Sequence, residues 1–166
     1  RDSMGHLNLQ AQTDPLTGLL NRRALDDALQ LMGKQARPFA LVAVDIDHFK
    51  SINDNHGHDV GDEVLARLAG VLRECSRDGD LSFRLGGEEF LLLLPQTSLG
   101  VASEVAERLR RRMEATRIEP VGHVTASLGV ALCEGGGDAG DALKRADESM
   151  YAAKQSGRNQ VVVQSG

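Results

Sequence analysis

Residues 84–95 constrain the fold of this chain more tightly than any other stretch. Arg84-Leu85-Gly86-Gly87-Glu88-Glu89-Phe90 runs directly into Leu91-Leu92-Leu93-Leu94-Pro95. Two glycines between apolar runs read as a tight hairpin turn, because type I′ and II′ turns need positive φ and glycine adopts it without steric cost. The return strand opens with two carboxylates, Glu88 and Glu89, and is otherwise apolar. Neighbouring strand residues point to opposite faces, so the two acids cannot serve the same purpose. A purely structural hairpin more often carries Asn-Gly or Asp-Gly at its tip. On these residues alone, a turn with solvated charges and a functional loop are both open readings.

The rest of the chain supplies partners for that hairpin. Residues 1–12 read as the tail of a longer incoming helix or as an arbitrary leader, and one domain spans 13–166. Asp14-Pro15-Leu16-Thr17-Gly18 punctuates an ordered turn, and Asn21 suits the N-cap of a helix through about Met32. The unbroken apolar run Phe39–Val44 after Pro38 reads as a buried central strand, which ends in Asp45-Ile46-Asp47-His48-Phe49-Lys50. Residues 52–59 hold too many turn formers for a long helix; a helix with Val64, Leu65, Leu68, Val71 and Leu72 at helical spacing follows. Arg77-Asp78-Gly79-Asp80 is a turn before the hairpin. Beyond the hairpin comes a helix with Val101, Val105, Leu109 and Met113 on one face, then a strand over Val124–Leu132. A helix from about Asp141 to a C′ glycine at Gly157 and an edge strand at Val161–Val163 complete the order. A central hairpin among alternating strands and helices predicts an α+β domain with a mostly antiparallel central sheet flanked by helices.

Composition narrows the function. A chain of 166 residues, 41% hydrophobic and 26% charged, is an ordinary globular domain with enough core to fold without disulfides or a structural metal. A net charge of −5, no Trp and one Tyr give neither the basic surface nor the stacking platform of a nucleic-acid binder. Cys75 and Cys133 form no CxxC pair and read as idle thiols of a reducing cytosol. No apolar run approaches a membrane span, so no membrane contact by this domain is expected.

Acids at the end of a buried strand are a frequent way of placing metal ligands on a rigid support. If Phe39–Val44 lies beside the hairpin, Asp45 and Glu88 converge, and Mg²⁺ is commonly held by one or two carboxylates plus substrate phosphates. Two such ions suit displacement at phosphorus. The competing reading makes Asp45 a strand-end cap and Glu88 a surface acid. Lys154 and Arg158 close the last helix, two turns after Asp147, and are either a dipole-complementing helix end or ligands of a triphosphate. Lys50 carries the same ambiguity. Asn53 and Asp62 flank a Gly-His-Asp-Val-Gly loop; a carboxylate can accept from guanine N1–H and N2–H₂, and turn and cap roles are the alternative. His56 and His58 fit no metal spacing with a third ligand and read as loop residues.

Together these residues resemble the GGDEF domain of bacterial diguanylate cyclases, in the variant whose signature reads GGEEF, here Gly86 to Phe90. The resemblance covers Asp14 to Val163. It rests on several motifs in the family's order: Asp14-Pro15-Leu16-Thr17-Gly18-Leu19-Leu20-Asn21-Arg22-Arg23, the run from Asp45 to Asp54, Gly57-His58 with Gly61-Asp62, the signature behind Arg84, Ala146-Asp147 with Met150 to Lys154, and Gly157-Arg158-Asn159. One such motif is weak; the set is highly specific.

The resemblance implies a fold similar to the palm of nucleotidyl cyclases and polymerases. It also implies conversion of two GTP into cyclic di-GMP and two pyrophosphates, with one GTP per subunit and the half-sites facing each other in a transient homodimer. Residue by residue, it implies that Asp45, Glu88 and the Ile46 carbonyl hold Mg²⁺ or Mn²⁺, two ions per half-site. Glu89 would help activate the 3′-hydroxyl or bind metal. Asn53 and Asp62 would read guanine. Lys154 and Arg158 would bind the β- and γ-phosphates, with Lys50 and the amides of His48 and Phe49 helping. Retention of Asp62 favours GTP over mixed substrates. Arg77-Asp78-Gly79-Asp80 matches the family's RxxD inhibitory site for cyclic di-GMP, to which Arg108 would add a second-subunit contact. Glu88 stands where the name-giving signature has Asp and should still reach metal; Ser149 and His48 stand at variable positions. An upstream sensory or regulatory segment is expected in the full protein. The domain is expected in the cytoplasm, free or as the cytoplasmic part of a membrane-bound bacterial protein. The reading from another class is a catalytically silent effector that binds GTP or cyclic di-GMP.

Overall fold

A computed structural model of the chain describes residues 11–164, so most of the expected leader lies outside the described residues. Five strands form the main sheet in the order β2-β3-β1-β6-β7: β1 (Phe39–Ile46), β2 (Leu81–Gly86), β3 (Glu89–Pro95), β6 (Ala126–Cys133) and β7 (Val161–Val163). Every pairing is antiparallel except β6 with β7, so the mostly antiparallel α+β architecture is as expected. A two-stranded ribbon, β4 (Arg117–Ile118) and β5 (Gly122–His123), stands apart and carried no sequence signal.

β1 is central because both its faces are apolar: all eight of its residues are buried. Its side chains alternate between two cores. Phe39, Leu41 and Ala43 join Leu91 and Leu93 under α1 (Arg22–Gln35) and α5 (Ala139–Gln155). Ala40, Val42, Val44 and Ile46 join Leu92 and Leu94 under α3 (His58–Glu74) and α4 (Leu99–Ala115). Helices therefore cover both faces of the sheet. No helix among the described residues is long and apolar enough to cross a membrane.

Local signals set the helix ends. Asn21 caps α1 by accepting from Ala24 N, Ser98 caps α4 and Asp138 caps α5. Residues 49–56 form a short helix, α2 (Phe49–His56), because Phe49 and Ile52 bury one side of it; His56 therefore ends α2 and His58 opens α3, where loop positions were expected for both. Gly57, at φ 91°, breaks the path before α3, so the turn formers prevent one long helix without preventing two. Val101 is exposed; the buried stripe of α4 runs through Ala102, Val105, Ala106, Leu109 and Met113. β6 begins at Ala126, two residues later than expected.

Candidate active site

Antiparallel pairing brings the far end of β1 to the tip of the β2–β3 hairpin. Asp45 lies opposite Glu89 in β3 and opposite Ser127 in β6. The two-residue tip is Gly87-Glu88, with Gly86 paired to Glu89 and a bulge at Leu85. φ is +50° at Gly87, the first tip position, and no positive φ occurs at Glu88, the pattern of a type II′ turn. Glu88 thus sits in the turn itself rather than in the strand. Its carbonyl accepts from Ile46 N at 3.3 Å, which docks the tip onto the end of β1.

Arg84 fixes that tip. Its Nε and Nη2 donate to the Gly87 carbonyl at 3.1 and 3.0 Å, and its Nη1 donates to both oxygens of Asp14 at 3.1 and 3.2 Å. Asp14 also accepts from the backbone and hydroxyl of Thr17. Burial pushes the Asp14 carboxyl up, but the Thr17 hydrogen bonds and Arg84 outweigh it and hold the group below the usual carboxylate range. The motif around Asp14 and the arginine before the diglycine are therefore one device, a role the sequence reading did not assign to either.

Lys154, on the last turn of α5, places Nζ 2.6 Å from Asp45 Oδ1. Asp45 is only 4% exposed. Burial raises its carboxyl to about 6; Lys154 opposes that rise, and the charges of Glu88 and Glu89 add to it. Beyond the ammonium, nothing among the described residues donates to Oδ1. A buried carboxylate oxygen held by a single lysine, next to two further acids, fits a cation site. Among the described residues no three His, Cys, Asp or Glu side chains cluster as metal ligands. The donor set is accordingly the sparse one that suits a metal sharing its shell with phosphate.

Glu89 is exposed and shares the α5 side of the sheet with Asp147, whose carboxyl burial and Glu89 push upward against Arg22. His48 adopts φ 58° at the N-cap of α2, so the amides of His48 and Phe49 lie at the start of a helix, a favourable place for an anion. Lys50 is exposed and paired with Asp54 one turn on, at 2.9 Å. Arg158 is exposed in the loop after α5, one turn beyond Lys154. Asp47 is fully used as a structural acid: it accepts from Thr125, Ser127 and the Asn159 amide. Asn53 on α2 faces Gly61 of α3, and the next residue, Asp62, is exposed. Asn53 Oδ1 is buried without a hydrogen-bond partner, and a Cβ at Gly61 would collide with it.

The GGDEF model of diguanylate cyclases matches residues 11–160. The chain belongs to the GGDEF-domain family. It is 44% identical over 156 residues to the diguanylate cyclase DgcM of Escherichia coli K12, covering 92% of this chain and 38% of DgcM. It thus spans well under half the length of that relative. Among solved structures, the coiled coil and GGDEF domain of DgcB from Caulobacter crescentus in complex with c-di-GMP superposes with a TM-score of 0.92 at 32% identity, covering 98% of this chain and 91% of that one. The active GGEEF domain of a diguanylate cyclase from Vibrio cholerae superposes at 0.82 with 36% identity, covering 89% and 99%.

The other end of this GGDEF domain's hairpin carries the RxxD residues. β2 separates them from the tip by six residues, roughly 20 Å of extended chain. Asp80, whose side chain is 2% exposed, accepts from Arg77 N at 2.8 Å and lies 3.5 Å from Arg77 Nη2. The same Nη2 donates to the hydroxyl of buried Thr97 at 2.7 Å. Arg108 donates to the Cys75 carbonyl at 3.3 Å, two residues before Arg77 in the same chain. Thr97, absent from the sequence reading, holds Arg77 against Asp80.

Proposed function

We propose that this chain is a diguanylate cyclase catalytic domain that condenses two GTP into cyclic di-GMP and two pyrophosphates across a transient homodimer. Buried Asp45, whose Oδ1 is held by Lys154 alone beside the Glu88 tip, carries the reading. A divalent cation held by Asp45, Glu88 and the Ile46 carbonyl, Mg²⁺ or Mn²⁺ and two per half-site, would neutralise charge on the triphosphate. Lys154 and Arg158 bind the β- and γ-phosphates together with the His48 and Phe49 amides, and Lys50 assists after leaving Asp54. Asn53 and Asp62 read the guanine edge. Each 3′-oxygen bonds to the α-phosphorus of the opposite GTP as the bond to the β-phosphate oxygen breaks and pyrophosphate leaves. Glu89, exposed and in register with Asp45, takes the 3′-proton. Product returns to Arg77 and Asp80, with Arg108 contributing, as an inhibitor.

The experiment is direct. The protein at high concentration, or joined as a forced dimer, is incubated with GTP and Mg²⁺ and the nucleotides are separated. Cyclic di-GMP and pyrophosphate are expected in a ratio of one to two. Retained GTP binding with no cyclic di-GMP from the forced dimer would establish the silent effector reading instead.

A further inference from the structure

The loop after α5 holds two successive non-glycine residues in the left-handed region, Arg158 at φ 65° and Asn159 at φ 49°. Such a pair persists only where the surroundings fix it. Arg158 itself is held by its backbone alone, its N–H donating to the Ala153 carbonyl at 3.0 Å and its carbonyl accepting from Gln160 Nε2 at 3.1 Å, and the contacts that reach to other elements fall on Asn159. Its N–H donates to Asp47 Oδ2 at 3.0 Å, its Nδ2 donates to Glu114 Oε2 at 2.7 Å, and its Oδ1 accepts from Arg110 Nη1 at 2.9 Å. Arg110 is itself clamped. Nε and Nη2 form a two-point pair with Glu107 at 2.9 and 2.7 Å, and Nη1 lies 3.4 Å from Glu114. The Arg110 side chain is 16% exposed, and its two-point pairing fixes its orientation. By contrast the Arg158 side chain is exposed and has no hydrogen bond or ion pair among the described residues.

We propose that Arg110 is a positioning residue for the substrate. From α4, and through Asn159, it holds the backbone of Arg158 in the left-handed turn that presents the Arg158 guanidinium to the terminal phosphates. The inference rests on the reading of Arg158 as a phosphate ligand. A purely structural role for Arg110 is the competing account. Against it stands the anchoring of α4 by five buried apolar residues, Ala102 to Met113, none of which needs Arg110. Loss of the guanidinium should therefore loosen one loop and leave the helix in place.

The test uses 3′-deoxy-GTP and 3′-deoxy-GMP, which lack the attacking hydroxyl and so cannot be turned over, titrated calorimetrically in Mg²⁺ onto the whole chain. Arg110→Gln should weaken 3′-deoxy-GTP by about 5- to 10-fold and leave 3′-deoxy-GMP within about twofold, because only the triphosphate reaches Arg158. Arg158→Ala should do the same, and the double variant should be no worse than Arg158→Ala alone, since one residue acts through the other. Asn159→Gly tolerates the left-handed φ while losing both side-chain contacts, and should reproduce Arg110→Gln with an unchanged melting temperature. Equal weakening of both nucleotides by Arg110→Gln, or full additivity with Arg158→Ala, would overturn the proposal. Wild-type affinity in Arg110→Gln beside a weakened Arg158→Ala would sink it alone. Wild-type affinity in Arg158→Ala would remove the phosphate reading and the proposal together.

Discussion

Two carboxylates in this domain each lie against a cation at nearly the same distance and titrate in opposite directions. Asp45 is 2.6 Å from Lys154, yet its carboxyl is raised to about 6, burial being the largest cause. Glu107 is 2.7 Å from Arg110, and that hydrogen bond lowers its carboxyl to about 2, with Arg111 adding to the effect. The difference lies in desolvation and in directed bonds. Glu107 is a third exposed and engages Arg110 through both oxygens. Asp45 is buried at a strand end, faces two further acids and has only Lys154 on Oδ1. Burial without full hydrogen bonding is costly for an ion, so a group kept in that state is a site where an incoming cation gains most. Proximity of opposite charges does not by itself set the direction of a titration; burial and the number of hydrogen bonds do.

The largest effect that could break this contrast is at Asp45. Asp45→Asn keeps the shape and removes the charge. Cyclic di-GMP synthesis should fall by at least about 100-fold, the scale of losing one electrostatic contact to a transferring phosphoryl group. The melting temperature should stay within a few degrees of wild type, roughly the shift of 1 kcal/mol in a domain of this size. An Asp45→Asn protein that unfolds at assay temperature would show that Asp45 serves stability, and the contrast with Glu107 would collapse. Asp80 provides the intermediate case. Its side chain is as little exposed as that of Asp45, but it accepts from the Arg77 backbone as well as lying beside its guanidinium. Arg77→Ala should raise the concentration of cyclic di-GMP needed for half inhibition by about 10-fold or more, the scale of a charge-assisted hydrogen bond, with the initial rate unchanged. Product titration of initial rates reads this directly. Inhibition that persists unchanged would make Arg77 and Asp80 a structural turn, satisfied like Glu107.

How much of this was legible in the sequence depended on whether a signal was local. β1 was readable because unbroken burial of both faces leaves an unbroken apolar run, and the hairpin because its tip needs a positive φ at Gly87. Convergence of Asp45 with Glu88 followed once those two elements were set side by side. The α2 helix was not readable, since Asn53, Asp54 and Asn55 favour turns and only the tertiary burial of Phe49 and Ile52 makes the helix form. Val101 misled because the true stripe of α4 includes Ala102 and Ala106, whose small side chains carry little hydrophobic signal. Asp47 with Asn159, and Arg110 with Asn159, join residues 112 and 49 positions apart. Polar pairs at such separations follow no period. Arg84 and Asp14 were visible as motif residues, but their pairing across 70 positions was not.

The smallest effect tests the other pole of the comparison. The folded Glu107 carboxyl lies near 2, below its ordinary 4.5, so its pairing with Arg110 contributes stability above about pH 4.5 that is lost as pH falls through that window toward 2. Glu107→Gln cannot titrate and should lack this contribution at every pH. Wild type should therefore melt about 2–4 °C above Glu107→Gln at neutral pH, a modest margin because the pair is partly exposed and screened by salt. The margin should shrink as the pH is lowered from 4.5 toward 2. A melting difference that stays constant with pH would mean that Glu107 contributes packing rather than charge. Its depressed carboxyl would then no longer mark the satisfied end of the scale on which Asp45 is the unsatisfied one.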